Sequence, residues 1–154
     1  MKKGLIIGIV VLLGLGGLYY PGVREAYEKH LLNESLINLR NLSPALFDEN
    51  TGQLCRKIDM DRVRKLPRYT GDINGIPNLM ICPISGKPYV YKPYASKRGV
   101  GVNFEYERRI VLYSPWPNRL GMRAVLEGDE GTVFTLSEEQ FRIAAANNFI
   151  VQLH

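Results

Sequence analysis

The chain has 154 residues, of which 45% are hydrophobic and 23% are charged, and its formal net charge is +5. This balance suits one ordinary domain with an appendage and excludes global disorder. Two cysteines, Cys55 and Cys82, and two histidines, His30 and His154, stand at irregular spacing, which excludes a structural zinc site of the finger type.

Residues 4–20 form an uncharged apolar segment that follows two lysines. Its 17 residues give roughly 25 Å of helix, the short end of what spans a bilayer. We therefore expect a transmembrane helix. A cleaved signal peptide is the alternative: no A-x-A site is present, but Gly14, Gly16 and Gly17 are small residues.

Basic residues predominate before the apolar segment, so the positive-inside rule places residues 1–3 in the cytoplasm. We expect a single-pass protein of the bacterial inner membrane whose main domain is periplasmic. The predicted divisions are a cytoplasmic terminus at 1–3, a span at 4–20, a stalk helix at 21–48 and an extracytoplasmic domain at 49–154. Gly4 and Gly8 form one G-x-x-x-G pattern, a candidate contact with another helix, although glycine is common in spans.

Pro21-Gly22 predicts an end or a kink in the first helix. Beyond it, apolar residues recur at helical spacing and predict a stalk that packs on a sheet: Val23, Tyr27, Leu31, Leu32, Leu36, Leu39 and Leu42. Ser43-Pro44 indicates a second kink or a new helix start, and the helical pattern is lost by residues 47–52.

Six basic residues crowd into residues 55–78: Arg56, Lys57, Arg62, Arg64, Lys65 and Arg68. A nucleic-acid or lipid-headgroup patch is one interpretation, and a solvated surface is the other. Because no aromatic platform interleaves these charges, we favour the solvated surface and expect no nucleic-acid partner.

Short runs of β-branched and aromatic residues predict strands at 79–84, 88–94, 102–107, 109–114, 123–128 and 131–136, with a last edge strand at 149–154. Ser85-Gly86-Lys87 predicts the turn between the first two runs. Ser137 and Gln140 have the spacing of a capping box and predict a helix at about 138–147. The fold class is therefore α+β, with a long N-terminal helix on a small, mostly antiparallel sheet and a short late helix.

This layout resembles type IV pilins and type II secretion pseudopilins, in particular those with a C-terminal H-x9-D-G signature. Residues 34–54 resemble the stalk and loop of that family, residues 82–91 (CPISGKPYVY) an early hairpin, and residues 111–141 the closing unit. The signature positions that carry the resemblance are Cys82, Pro83, Ser85, Gly86, Pro88, Tyr89, Tyr91, Asn118, Arg119, Arg123, Asp129 and Gly131.

The chain also departs from the pattern of this family. Arg119 stands where the signature has histidine, and Glu130 is inserted before Gly131. The N-terminus lacks the cleavage context of a prepilin, since Leu5 follows Gly4 where an aromatic residue is usual, and Ile9 replaces the glutamate used to register subunits. These departures suggest a pilin-like domain retired from polymerisation.

Predictions can also be made for the two cysteines, for Trp116 and for the carboxylates at 127–130. The inferred periplasmic location suggests a disulfide between Cys55 and Cys82. Trp116 lies between two prolines and is either an interface anchor or packed under the sheet edge. Related pseudopilins hold Ca²⁺ in a C-terminal loop, which makes the carboxylates of Glu127, Asp129 and Glu130 weak candidates, although an exposed charged hairpin is the simpler interpretation and we assign no metal.

No pair of a nucleophile and a base is framed by a catalytic context, so we expect no enzyme, no cofactor and no small-molecule substrate. The favoured function is an anchored accessory subunit of an inner-membrane complex, respiratory, photosynthetic or transport, with other membrane-protein subunits and the lipid bilayer as partners. The alternatives are a minor pseudopilin of a type II secretion or type IV pilus-like machine, and a periplasmic ligand-binding module.

Overall fold

The computed structural model describes residues 2–94, 108–128 and 131–151, with side chains from residue 20 onward within those ranges. Its elements in chain order are helix α1 (Lys2–Leu42), a 3₁₀ turn (Ser43–Leu46), α2 (Met60–Arg64), β1 (Asp72–Ile73), β2 (Ile76–Pro77), a 3₁₀ turn (Asn78–Met80), β3 (Val90–Tyr91), β4 (Ile110–Tyr113), β5 (Met122–Glu127), β6 (Val133–Ser137) and α3 (Glu138–Ala146). The fold class is α+β, as expected.

Helix α1 is one helix of 41 residues, about 60 Å long at 1.5 Å per residue. Of the two alternatives predicted at Pro21-Gly22, an end or a kink, the end is wrong, because Pro21 lies inside α1. The ring removes one N–H donor, and the hydrogen bonds before and after it continue the helix. Within the described ranges no helix is long and apolar enough to cross a membrane, and the side chains of residues 4–19, most of the predicted span, lie outside those ranges.

The second half of α1 carries the core face that the apolar periodicity predicts. Leu39 and Leu42 are fully buried, and Leu32 and Leu36 pack against the same core. Val23 and Tyr27, by contrast, are exposed, because residues 20–27 lie beyond the domain. The helix ends at Leu42, six residues before the predicted end of the stalk at 48, and Pro44 lies in the 3₁₀ turn that follows.

The main sheet has four antiparallel strands in the order β3-β4-β5-β6. Strand β5 alternates its side chains between two layers: Ala124 and Leu126 face the core that includes α1, whereas Val125 packs with the residues around α3. The sheet is therefore covered by α1 on one face and by α3 on the other. Both helices bury apolar strand residues that would otherwise be in water.

The capping box that was predicted for α3 is present. The Ser137 hydroxyl accepts from the Gln140 N–H at 3.2 Å, and the Gln140 side chain accepts from the Ser137 N–H at 2.9 Å. These two bonds satisfy donors that the first turn of a helix leaves without partners. Behind α3, Tyr113 packs on Phe141 and on Phe149 with ring centroids 4.9 and 5.5 Å apart.

Three arginines of the basic segment hold the domain together through ion pairs. Arg62 bonds to Glu49 at 3.0 Å and to the Phe47 carbonyl at 2.9 Å, which ties α2 to the chain after α1. Arg64 pairs with Asp61 at 2.8 Å and with Asp72 at 2.9 Å, and Arg68 pairs with Glu34 at 3.2 Å. These contacts give the arginines a structural role on the surface of the domain.

Several predicted strands differ from the structure. Residues 78–80 form a 3₁₀ turn, and only a bridge between Ile81 and Pro88 remains of the first predicted pairing. Pro83 and Pro88 have no backbone N–H to donate, which limits the pairing of this hairpin. The predicted strand 102–107 lies outside the described residues, as do 152–154 of the predicted last strand, while Ile150 bridges Arg109.

Candidate functional site

The connection between β4 and β5, residues 115–121, docks on α1 and is built around Asn118. The Asn118 side-chain oxygen accepts from the N–H groups of Leu120 and Met122, both at 3.0 Å, and its backbone N–H donates to the Met122 carbonyl at 2.8 Å. Gly121 closes the turn at φ +74°, a conformation that favours glycine. The side chain of one buried asparagine therefore organises the backbone of this connection, called here the docking loop.

Glu28 is the residue of α1 on which the docking loop rests. Its Oε2 accepts from the Arg119 N–H at 3.1 Å, and its carbonyl accepts from the Asn118 amide at 3.4 Å. Glu28 is 7% exposed, whereas each residue from 20 to 27 is exposed. Glu28 is thus the first residue of α1, counted from residue 20, that the domain covers.

Arg123 fixes the other side of the docking loop. It is 7% exposed and donates two bonds to the Glu138 carboxylate at 2.6 and 3.1 Å, and two more to the carbonyls of Ser114 and Pro115 at 2.9 and 2.7 Å. Its guanidinium also lies 4.4 Å from the centroid of the Phe141 ring. The hydrogen bonds that Arg123 donates to the Glu138 carboxylate hold the pKa of Glu138 below its ordinary value.

The docking loop presents apolar side chains to the surroundings. Trp116 is 56% exposed and Leu120 is 44% exposed, so the alternative in which Trp116 packs under the sheet edge is wrong. The ammonium of Lys87 lies 5.8 Å from the centroid of the Trp116 ring, which brings the early hairpin beside the loop. The Arg119 side chain is 68% exposed. The loop therefore combines a fixed backbone with an exposed apolar and basic surface.

The early hairpin at residues 82–91 packs under α1. Gly86, at φ +64°, forms the predicted turn, with bonds of 2.8 Å from the Gly86 N–H to the Cys82 carbonyl and from the Cys82 N–H to the Lys87 carbonyl. Tyr89 is buried and its hydroxyl donates to the Ser35 carbonyl at 3.2 Å. The signature tyrosine thus ties the hairpin to α1, and burial raises the pKa of its hydroxyl above the ordinary range.

The predicted disulfide between Cys55 and Cys82 is not formed, since both residues are free thiols. The Cys82 side chain is fully buried, with its Sγ 3.8 Å from the Ser35 hydroxyl of α1. Cys55 is half-buried, and its carbonyl accepts from the Tyr91 hydroxyl at 2.6 Å. The Cys82 thiol is thus directed toward the helix and fills space in the core.

The weak calcium candidates are only partly described. Glu127 is almost fully buried at the end of β5, whereas Asp129 and Glu130 lie outside the described residues. No cluster of metal-ligating side chains occurs among the residues that the structure describes. Gly131, the last signature residue, has φ +68° and packs on Ser43, whose hydroxyl lies 2.6 Å from where a Cβ would stand.

A shallow pocket of about 180 Å³ lies beside the start of β4. Its lining includes Lys92, Arg109 and Phe149, and the Lys92 ammonium lies 4.0 Å from the centroid of the Phe149 ring. Ligand sites of proteins are commonly 300–1,000 Å³ in volume. The pocket is therefore smaller than a usual small-molecule site.

The structure brings Trp116, Asn118 and Arg119 together in one loop on α1 and places Arg123 beside that loop in β5. All four residues were named from the sequence. Glu28, Leu120 and Glu138 were missed as members of this site. Glu28 carried a signal, because it occupies the helical stripe of Leu32, Leu39 and Leu42, where a charged residue requires a partner. The surroundings of Gly4 and Gly8 lie outside what the structure describes, so the predicted helix contact there stays a prediction.

Comparison of the chain with protein-family models, with curated proteins and with solved structures gives no match.

Proposed function

We propose that the protein is a non-enzymatic, single-span subunit that anchors a pilin-like interaction domain at a membrane, most simply as an accessory subunit of an inner-membrane protein complex. The N-terminal half of α1 would be the anchor, and the α+β domain would face the periplasm. The docking loop would be the surface nearest to the anchor.

The observation that carries this proposal is the division of α1 at Glu28. The helix continues from Lys2 to Leu42, its second half is the core of the domain, and residues 20–27 have no domain contact that covers them. Residues 20–27 are exposed, so this part of the helix buries no apolar surface against the domain and adds nothing to its stability by that route. A membrane would cover the apolar segment at 4–20.

The fixed docking loop supports an interaction role beside the anchor, in which the loop binds a surface next to α1. The bonds of Asn118, Glu28 and Arg123 hold its backbone in one conformation, so a partner that binds the loop pays little conformational entropy. Exposed apolar residues on a rigid surface are typical of interaction sites.

The test is purification of the full chain from membranes in mild detergent, after an alkaline carbonate wash. We expect the chain to resist the wash and to elute with other membrane subunits at constant stoichiometry. A chain that is released by carbonate contradicts the anchor. A chain that resists the wash, elutes alone and turns over a substrate contradicts the subunit role.

A minor pseudopilin is the second candidate, favoured by the packing of α1 along β5 and β6, a helix-on-sheet arrangement like that of the family the sequence resembles. Intact mass of the membrane-extracted chain separates the two candidates. An unprocessed N-terminus supports the accessory subunit, whereas cleavage after Gly4 with a methylated Leu5 supports the pseudopilin.

A further inference from the structure

We infer that the docking loop is a second membrane contact, in which Trp116 and Leu120 enter the headgroup layer while Arg119 and Lys87 meet anionic lipid headgroups. This inference rests on the proposed anchor and adds to it the lipid surface as the partner of the loop.

The uncharged part of α1 is long enough to span a bilayer. Because α1 continues through Pro21, the uncharged residues extend from residue 4 to residue 23, and Arg24 is the first charged residue after them. Twenty helical residues span about 30 Å, which equals the hydrocarbon thickness of a typical bilayer. Tyr20 and Val23, at the end of this stretch, are 70% and 64% exposed and have no protein cover.

The docking loop would lie close to the hydrocarbon core of the bilayer. Glu28 follows Val23, the last residue of the uncharged stretch, by five residues, which places it about 7.5 Å further along the helix. The headgroup layer on each side of a bilayer is about 5–7.5 Å thick. Asn118 and Arg119 contact Glu28 directly, so the loop lies at the outer edge of the headgroup layer when residues 4–23 span the membrane.

The third step is the chemistry of the loop. Tryptophan is enriched at the membrane interface because its ring is apolar and its N–H is polar. The sequence PWPNRLG contains no acidic residue, and the exposed side chains of Arg119 and Lys87 carry positive charge beside Trp116. Basic residues near the surface of a membrane are attracted to anionic lipids. An apolar ring with flanking cations thus fits a lipid surface.

The backbone of the docking loop is held by hydrogen bonds on both sides of Asn118. Trp116 and Leu120 flank the buried Asn118, whose side chain fixes the turn, and Pro115 accepts a bond from Arg123. The apolar side chains therefore stay exposed in a single loop conformation and cannot fold back to the core without breaking these bonds. A membrane contact here would also fix the angle between the domain and the bilayer, because α1 and the loop would give two points of attachment.

Trp116 is the single tryptophan of the chain, so its fluorescence reports on this loop alone. The experiment reconstitutes the full chain in vesicles of phosphatidylethanolamine and phosphatidylglycerol that contain brominated lipids, with bromine either near the headgroup or near the end of the acyl chain. We expect the shallow bromine to quench Trp116 about twofold more than the deep one, since tryptophan settles at the interface.

The matched control is the double variant Trp116→Phe/Met60→Trp. Met60 is 39% exposed at the start of α2, which Arg62 attaches to the carbonyl of Pro44. Leu42, the end of α1, is 14 residues or about 21 Å beyond Glu28 along the helix, so we expect the new tryptophan to lie roughly that far beyond the docking loop. We expect aqueous acrylamide to quench this tryptophan strongly and either brominated lipid to leave it unchanged.

Three outcomes would overturn the inference. If the chain resists carbonate but acrylamide quenches Trp116 as strongly as the tryptophan at position 60, the anchor stands and the loop does not touch lipid. If Trp116 is shielded from acrylamide and also unaffected by both brominated lipids, a protein covers the loop instead. Release of the chain by carbonate removes the anchor and the inference together.

Discussion

Glu28 and Arg119 meet mainly through the backbone of Arg119: Oε2 of Glu28 accepts from the Arg119 N–H at 3.1 Å, whereas Oε1 lies 3.7 Å from the guanidinium Nε. The carboxylate is buried and the guanidinium is 68% exposed. The identity of residue 119 therefore matters little to this contact.

The first prediction concerns Glu28. Replacing Glu28 with Ala leaves the Arg119 N–H without its acceptor, and we expect a loss of about 1–3 kcal/mol in the free energy of unfolding. Glu28→Gln keeps an acceptor oxygen and should lose less. Arg119→Ala should change stability by about 0–1 kcal/mol, because its guanidinium is 68% exposed and lies 3.7 Å from the carboxylate. Thermal unfolding of the full chain in mild detergent measures all three, and an Arg119→Ala loss equal to that of Glu28→Ala would contradict this account.

The second prediction concerns Arg123, which joins β5, the docking loop and the first turn of α3. Arg123→Met leaves the Glu138 carboxylate and two carbonyls without their donor, and we expect a loss of about 3–5 kcal/mol. Arg123→Lys keeps the charge but not the planar fork and should recover only part of the loss. Arg142→Met is the control, since Arg142 is 79% exposed and also contacts Glu138, at 3.4 Å. Equal losses for the two methionine variants would disprove the role of Arg123.

The third prediction is a pH dependence that originates at Glu138. Hydrogen bonds from Arg123 hold the pKa of Glu138 in the folded chain below its ordinary value of 4.5. The stabilisation is therefore complete above the unfolded pKa and is lost as the pH falls through the lower folded pKa. The stability difference between the wild type and Glu138→Gln should shrink below about pH 4.5. Urea unfolding in a series of acidic buffers measures this. The control is the same Glu138→Gln comparison made in the Arg123→Met variant, where the loss of the hydrogen bonds from Arg123 should weaken the pH dependence.

The sequence predicted those parts of the fold that depend on local chemistry. The capping box at Ser137 and the turn at Gly86 are formed by neighbouring residues, so their patterns were sufficient. The core face of α1 at Leu39 and Leu42 followed from helical periodicity. At Pro21 the sequence left an end and a kink as alternatives, and the end did not occur, because a proline removes one hydrogen bond but does not by itself stop a helix.

The docking site depended on distant contacts and was only partly predictable. Glu28 and Asn118 are 90 residues apart in the sequence, and no local pattern indicates their contact. The disulfide between Cys55 and Cys82 was predicted only from the inferred periplasmic location. The location of a protein carries no information on the direction in which its thiols point. Ser35, which lies beside Cys82 in the core, belongs to the helical stripe and was not considered as its neighbour.

The fourth prediction concerns these thiols. Cys55 is half-buried and Cys82 is fully buried, so an alkylating reagent should modify Cys55 in the folded chain and should reach Cys82 only after unfolding. Mass spectrometry without prior reduction should therefore find one modified cysteine in mild detergent and two in denaturant. Cys55→Ser should remove the modification of the folded chain. Two unreactive cysteines in denaturant would show a disulfide and contradict the structure.

The fifth prediction tests how tightly the core closes around Gly128, which follows β5. A Cβ at this position would lie 2.5 Å from Cγ1 of Val111 and 3.1 Å from the side chains of Leu54 and Tyr94. Gly128→Ala should therefore destabilise the fold by about 1–3 kcal/mol through overpacking. Gly22→Ala is the matched control, since nothing lies within 4 Å of its Cβ and alanine favours a helix, so that variant should gain up to about 1 kcal/mol. Val111→Ala alone should also lose stability, because Val111 is fully buried. If the contact with Val111 is the cause, the double variant Gly128→Ala/Val111→Ala should lose less than the sum of the two single variants, and additive losses in thermal unfolding would contradict the packing described for this corner of the sheet.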